Sequence, residues 1–174
     1  MDFIKQPYSA LDQIALDEFL ALLPPGARVL DLGCGGGRDL IYFTQKGFDA
    51  EGVYTSGDPA IPGLKVRKAD LRMLSLARES YDGIWVNLVL SQFNSNECQR
   101  VLLSCFNGLK SKGALFVSIV EGSVSAVRVE GITPYYEYRA DDFASLIRQS
   151  GFSLLKNGKS EKDTRQIAFI AKRV

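Results

Sequence analysis

Apolar and polar positions along this chain alternate between two rhythms. Over 9–23, Leu11, Ile14, Ala15, Phe19 and Leu22 recur at three- and four-residue steps, which predicts a helix with one stripe facing a core. Ser9 followed by Asp12 has the form of a capping start, and Pro24-Pro25-Gly26 stops the helix. Positions 28–32 form a short apolar run of the kind buried in a parallel sheet. A glycine-rich turn, 33–37, leads into a helix reaching about Lys46, with Gly47 as its C-terminal cap. Strands are predicted over 50–55, 64–69 and 83–88. The clearest helix covers 95–109, with Asn94 as N-cap and Cys98, Val101, Leu102, Cys105, Phe106 and Leu109 as an unbroken apolar stripe. Lys112-Gly113 turns into a strand over 114–120, and a helix over 142–150 ends at Gly151. Positions 152–156 and 166–172 read as a closing antiparallel hairpin around a polar loop. Strands alternating with helices predict a doubly wound α/β sheet, and no repeat or linker divides residues 1–174, so a single domain is expected.

Composition narrows the function. The chain has 174 residues, 46% of them hydrophobic, enough for a core without disulfide staples. Twenty-one basic against twenty acidic residues leave a formal charge of +1 and no overall field to attract a polyanion, so neither nucleic acid nor an acidic membrane is expected as partner. Histidine is absent, which excludes a histidine base, Ser-His-Asp and Cys-His catalysis and every histidine-containing metal site; no metal is expected. Of the three cysteines, Cys98 and Cys105 sit seven apart on a predicted helix, about 10 Å, too far for a disulfide. No signal peptide and no apolar run of membrane-spanning length is read, so a reduced, cytoplasmic protein is expected.

The chemically informative segment is Val29-Leu-Asp-Leu-Gly-Cys-Gly-Gly-Gly37. A glycine-rich turn from a strand into a helix N-terminus lets backbone approach a ligand closely, at the strand ends where open α/β sheets bind ligands. The dinucleotide pattern G-x-G-x-x-G fails, because Arg38 or Leu40 stands at its sixth position, and the phosphate-loop G-K-[ST] is absent. What fits is D-x-G-x-G-x-G, with Asp31 at the strand end and glycines at 33, 35 and 37. Here the chain resembles the class I S-adenosylmethionine-dependent methyltransferases. Ala69-Asp70-Leu71 resembles that family's adenine-contacting turn, and Tyr81-Asp-Gly-Ile-Trp-Val-Asn87 its fourth-strand motif. Leu109-Lys-Ser-Lys-Gly-Ala-Leu115 resembles the opening of its fifth strand, and Asp142-Phe143 with Gly151-Phe152 its late helix and G-F segment. These segments fall in the family's order over about residues 10–172.

The resemblance implies a Rossmann-like, mostly parallel seven-stranded sheet with an antiparallel last strand and helices on both faces. It implies S-adenosylmethionine as cofactor, S-adenosylhomocysteine as product, and a small-molecule acceptor. Carried over to this chain, Asp31 would accept from the ammonium or an ordered water at the methionine end, and backbone at Gly33, Cys34, Gly35 and Gly37 would pass beneath the cofactor. Asp70 would accept from the adenine amino group, the Leu71 N–H would serve a ring nitrogen, and Asn87 would lie near the sulfonium. Plainer roles stand beside these: Asp70 as a turn cap, Asn87 as a strand-end partner for backbone, Cys34 as a small residue in a tight turn.

Three departures bear on activity. Val53-Tyr54-Thr55 stands where the family ends its second strand with an acid for the ribose hydroxyls, so Tyr54 takes that ribose position or packs on an open flank. The helix between the second and third strands is missing or reduced, since 56–63 carries two prolines and two glycines. Ser91-Gln92-Phe93 stands where related small-molecule enzymes often carry histidine. Without a histidine base, an acceptor that is already a soft or anionic nucleophile is favoured over a neutral alcohol. Tyr136, Tyr138, Arg139 and Arg128 are the acceptor-side candidates, the alternative being a surface loop packed on the sheet edge. A second reading keeps the fold without catalysis, as a regulatory or partner-binding protein.

Overall fold

The computed structural model describes residues 10–56, 62–130, 133–159 and 165–174. Its elements are α1 (Ala10–Leu20), β1 (Arg28–Leu32), α2 (Arg38–Gln45), β2 (Asp49–Tyr54), β3 (Lys65–Lys68), β4 (Tyr81–Asn87), α3 (Ser95–Gly108), β5 (Leu109–Val120), β6 (Ala126–Glu130), β7 (Thr133–Glu137), α4 (Ala140–Gln149), β8 (Phe152–Lys159) and β9 (Gln166–Arg173). Seven strands form one sheet in the order β3-β2-β1-β4-β5-β9-β8. All neighbours from β3 to β5 are parallel, and β9 runs antiparallel between β5 and β8.

Alternation along each strand sends side chains to two cores. Leu30, Ile84, Val86, Leu115 and Val117 join α3 and α4 on one face. Val29, Trp85, Phe116 and Ile170 join α1 and α2 on the other. This is the Rossmann-like, doubly wound arrangement with helices on both faces.

Several boundaries differ from the sequence expectation. The Ser9 start of α1 lies outside the described residues. Helix α3 ends at Gly108, and Leu109 is already the first residue of β5, paired with Tyr81. The predicted turn at Lys112-Gly113 survives as an irregularity inside that strand, with Lys112 at φ +65° and pairing resumed at Gly83↔Ala114. The hairpin strands extend further, so 157–159 belong to β8 rather than to the loop; 160–164 lie outside the described residues. Segment 135–139, expected as a loop, instead supplies most of β7, which pairs with β6 in a separate two-stranded ribbon. Between β2 and β3 the described residues form no helix, and 57–61 lie outside them. Between β3 and β4 only a single 3-10 turn, Leu71–Met73, interrupts the irregular chain.

Candidate active site

The parallel strands bring Asp31, Tyr54, Asp70 and Asn87 to one rim of the sheet. Leu32 pairs with Val53 and Asp31 with Trp85, while Tyr54 pairs with Lys68. From β1 the chain turns through Gly33 (φ +79°), Gly35 (φ +49°) and Gly37 (φ +83°), all in the left-handed region that L side chains rarely adopt. The N–H groups of Gly33 and Cys34 both donate to the Val53 carbonyl, which ties the turn to β2. A Cβ on Gly33 would lie 2.7 Å from Val89, whereas one on Gly35 would meet nothing closer than 4.0 Å. Gly33 is thus required by packing, and Gly35 leaves its outer side open to the cleft.

That cleft, of about 300 Å³, is lined by Asp31, the 33–36 turn, Arg38, Asp39 and Asn87. Helix α2 begins at its wall, so the positive, N-terminal end of the helix borders it. Asp31 is 2% exposed, and its Oδ2 has no hydrogen-bond partner among the described residues. Burial, and then the Asp39 carboxylate, push the Asp31 carboxyl well above the ordinary carboxylate range, with Arg38 acting the other way. A buried carboxylate oxygen without a donor costs stability unless a ligand supplies one.

Asp39, in the first turn of α2, is a site residue that sequence reasoning missed. Its Oδ2 accepts from the Trp85 indole at 2.8 Å and from the Asn87 amide at 3.1 Å, and its Oδ1 from Arg38 at 3.0 Å. Asn87 in turn accepts from the Ser118 hydroxyl at 2.5 Å, and Ser118 accepts from the Leu88 N–H at 3.0 Å. Leu88, just past β4, stands at φ +60°, a strained conformation for a leucine, of the kind that functional sites store. An acid beside the N-terminal end of a helix was the available signal; its partners, 46 and 48 positions away, are visible only in the fold.

The remaining candidates lie elsewhere. Asp70 is exposed, caps the Leu71–Met73 turn, and holds the Arg72 guanidinium at 2.7 Å, which with the Arg72 N–H keeps its carboxyl below the ordinary range. Leu71 is buried in the α3-side core, and neither it, Asp70 nor Tyr54 lines the cleft among the described residues. Cys34 packs over Gly52, and burial and the Asp31 charge push its thiol up to about 12. Cys98 and Cys105 are buried as well, and none of the three cysteines is in a disulfide.

The acceptor-side candidates sit on or beside the ribbon. Tyr138 is 4% exposed and donates to the Phe93 carbonyl at 2.5 Å, so most of it belongs to the core, and only its edge borders the hollow that Tyr136 lines. Burial, with Cys98 beside it, pushes its phenol far up, which removes it as a base. Arg128 is committed to Glu137 at 3.0 Å, and Arg139 is the exposed N-cap of α4. Tyr136 lines a separate hollow between the ribbon, Asn94 and α4 that shares no lining residue with the cleft.

A mostly parallel sheet in this strand order, with a left-handed glycine turn and an orphaned acid over its central strands, defines the class I S-adenosylmethionine-dependent methyltransferase fold. A methyltransferase-domain family model matches residues 7–157, and the chain belongs to that family. Among solved structures it is similar to the Burkholderia thailandensis 1,6-didemethyltoxoflavin-N1-methyltransferase, solved with 1,6-didemethyltoxoflavin and S-adenosylhomocysteine. That match has 21% identity and a TM-score of 0.81 over 93% of this chain and 77% of that one. It is also similar to an S-adenosylmethionine-dependent methyltransferase from Mesorhizobium loti, with 17% identity, TM-score 0.76, and 95% and 99% of the two chains covered. A third, the [4+2]-cyclase SpnF, has 15% identity and TM-score 0.78 over 98% and 84% of the two chains. No curated protein sequence matches. At these identities the solved structures establish the fold alone, and the cyclase illustrates that a fold does not fix its chemistry.

Proposed function

We propose that this chain transfers a methyl group from S-adenosylmethionine to a small-molecule acceptor whose nucleophilic atom is soft or already anionic. The observation that carries the reading is the buried Oδ2 of Asp31, without a partner among the described residues, beside the open side of the glycine turn. An amino-acid ammonium fits that oxygen, through a charge-assisted hydrogen bond worth about 1.5–3 kcal/mol. When bound, the cofactor supplies an electrophilic sulfonium methyl with a neutral leaving group. Asp31 would hold its ammonium, the 33–37 backbone would lie beneath it, and the Asp39–Asn87–Ser118 network would fix the wall facing the acceptor.

The site offers alignment in place of a base. Well-oriented reactants gain effective molarities of about 10⁵–10⁸ M, whereas a general base adds about 10²–10⁴-fold. Asp39 already accepts from Arg38, Trp85 and Asn87, so the acceptor must arrive nucleophilic. The similarity to a methyltransferase solved with 1,6-didemethyltoxoflavin supports an acceptor of small size. The buried free thiols support the cytoplasmic setting expected from the sequence.

Asp70 favours a second reading, in which the fold is kept for a regulatory or partner-binding role: its carboxylate is taken by Arg72, and Tyr54 replaces the ribose acid. Calorimetric titration with S-adenosylhomocysteine tests the first reading. Wild type should bind it, and Asp31→Ala should bind it at least tenfold more weakly. Absence of binding by the wild type would overturn the proposal. An acceptor screen then separates the readings: methylation of thiols or other soft anions is expected. Methylation of alcohols alone would refute the acceptor class, and binding without any turnover would favour the regulatory role.

A further inference from the structure

The charged residues lining the cleft are Asp31, Arg38 and Asp39, two carboxylates against one guanidinium. The two acids are held differently. Asp31 has an oxygen without a partner among the described residues, whereas Asp39 is gripped from three directions. Its Oδ2 accepts from the Trp85 indole at 2.8 Å and the Asn87 amide at 3.1 Å, and its Oδ1 from Arg38 at 3.0 Å. Two of those donors are themselves immobile. Trp85 is buried, stacked 3.6 Å from Phe116 and edge-on to Phe43 at 5.6 Å. The carbonyl end of the Asn87 amide is taken by the Ser118 hydroxyl at 2.5 Å, so a flipped amide would set its oxygen against Asp39. The Asp39 carboxylate is therefore a charge fixed in place.

That charge is felt inside the cleft, since after burial it is what raises the proton affinity of Asp31. Arg38 offsets it only in part. The Arg38 side chain is 32% exposed against 10% for Asp39, and the more exposed charge is the better screened by water and salt. The pair thus leaves an excess of negative field on the cleft side. S-Adenosylmethionine and S-adenosylhomocysteine share every hydrogen-bonding group and differ at one atom, a cationic sulfonium in the first and a neutral thioether in the second. Three carbon atoms separate that sulfur from the ammonium. An ammonium on Asp31 therefore leaves the sulfur within the same cleft of about 300 Å³, alongside Arg38 and Asp39.

Resting on the methyl-transfer reading above, we propose that Asp39 is a specificity-determining residue, whose fixed charge favours the cationic cofactor over the neutral product and so lets the spent molecule be exchanged for a fresh one. When the acceptor's lone pair takes the methyl carbon, the carbon–sulfur bond breaks with its electron pair left on sulfur. The positive charge that Asp39 attracts is then gone, and the attraction ends with the turnover itself. Arg38 acts in the opposite sense and tempers the preference.

Calorimetric titration of the full chain with S-adenosylmethionine and, separately, with S-adenosylhomocysteine tests the proposal, no acceptor being present. The ratio of the two dissociation constants cancels every contact that the ligands share, the bond to Asp31 included. Asp39→Asn removes the charge and keeps an oxygen for the Trp85 indole. It should weaken S-adenosylmethionine about tenfold more than S-adenosylhomocysteine, the size expected of one unit charge at a partly buried site. Arg38→Gln should move the ratio the other way, and it decides alone should the first variant fail to fold. Trp85 is the only tryptophan, so its fluorescence reports whether each variant is folded. Equal weakening of both ligands by Asp39→Asn would make the residue structural and overturn the proposal. An unmoved ratio in Arg38→Gln, or shifts of the same sign in the two variants, would overturn it as well. In each of those cases a wild type that binds both ligands leaves the methyl-transfer reading standing. A wild type that binds neither refutes that reading and this inference with it.

Discussion

The carboxyl of Asp31 sits in β1 with Oδ2 unpartnered among the described residues, and burial, then the Asp39 charge, raise its proton affinity. A carboxyl whose pKa rises on folding binds more protons folded than unfolded between its two values. The free protein should therefore lose stability as pH climbs from the ordinary carboxylate value, about 4, through the raised one. Asp31→Asn removes that slope. Urea unfolding should show the variant more stable than wild type at neutral pH, because the amide carries no charge to bury, and the difference should shrink as pH falls toward the ordinary carboxylate value. The same variant should bind S-adenosylhomocysteine more weakly. Equal stability with an unchanged pH slope would mean that water already satisfies the acid. The neighbouring glycines separate packing from binding. Gly33→Ala meets Val89 at 2.7 Å in addition to its φ of +79°, so it should unfold the protein well before Gly35→Ala does. Gly35→Ala bears only the backbone strain, about 1–2 kcal/mol. It should stay folded at room temperature, with its loss showing in cofactor affinity. Thermal melts and titrations on the pair check both statements, and a Gly33→Ala protein as stable as Gly35→Ala would refute the packing role.

Helix α3 shows what local sequence specifies well. Asn94 accepts from the Glu97 N–H and Glu97 accepts from the Asn94 N–H, each at 3.0 Å, and the stripe from Cys98 to Cys105 is buried. Asn94→Ala should cost about 0.5–2 kcal/mol in denaturant unfolding, and a smaller loss than Asn94→Gly would contradict the capping role. Cap and stripe lie within fifteen positions, so this element was legible before any fold was known, though its last residue passes directly into β5. The glycine turn was legible for the same reason, since its spacing is its own signature. The β6–β7 ribbon was not. Val127 and Val129 on β6 are more than half exposed, and the segment is held by Arg128–Glu137 across the strands and by Tyr138 reaching Phe93. None of these contacts leaves a periodic trace. A hollow of about 170 Å³ bordered by Ser118, Ala168 and Gly158 was hidden for a further reason, because its lining comes from three strands that only the sheet order brings together.

Taken whole, the sheet is protected unevenly. Strands β1, β4, β5 and β9 each have a neighbour on both sides, and α1 and α2 cover one face while α3 and α4 cover the other. Strand β3 is an edge with three of four residues exposed, and its connection to β4 holds only the Leu71–Met73 turn. The outer half of β8 is exposed along the other edge. Amide hydrogen exchange should then separate into two classes. Amides of β4 and β5 should exchange only through global unfolding, and those of β3 and outer β8 orders of magnitude faster through local opening. Ligand linkage sharpens the test. S-adenosylhomocysteine at 100 times Kd adds about 2.7 kcal/mol, so every globally exchanging amide should slow by about a hundredfold. Locally opening edge amides should not slow at all unless the ligand touches them. Outer β8 should stay unchanged. Strand β3 is the informative case, since Asp70 at its end is held by Arg72 in the free protein. Slowing confined to β3 among the edges would mean that Asp70 leaves Arg72 for the adenine and ties this edge to the cleft. No slowing there would leave Asp70 as the cap of its turn, with the cofactor held from β1 and β4 alone.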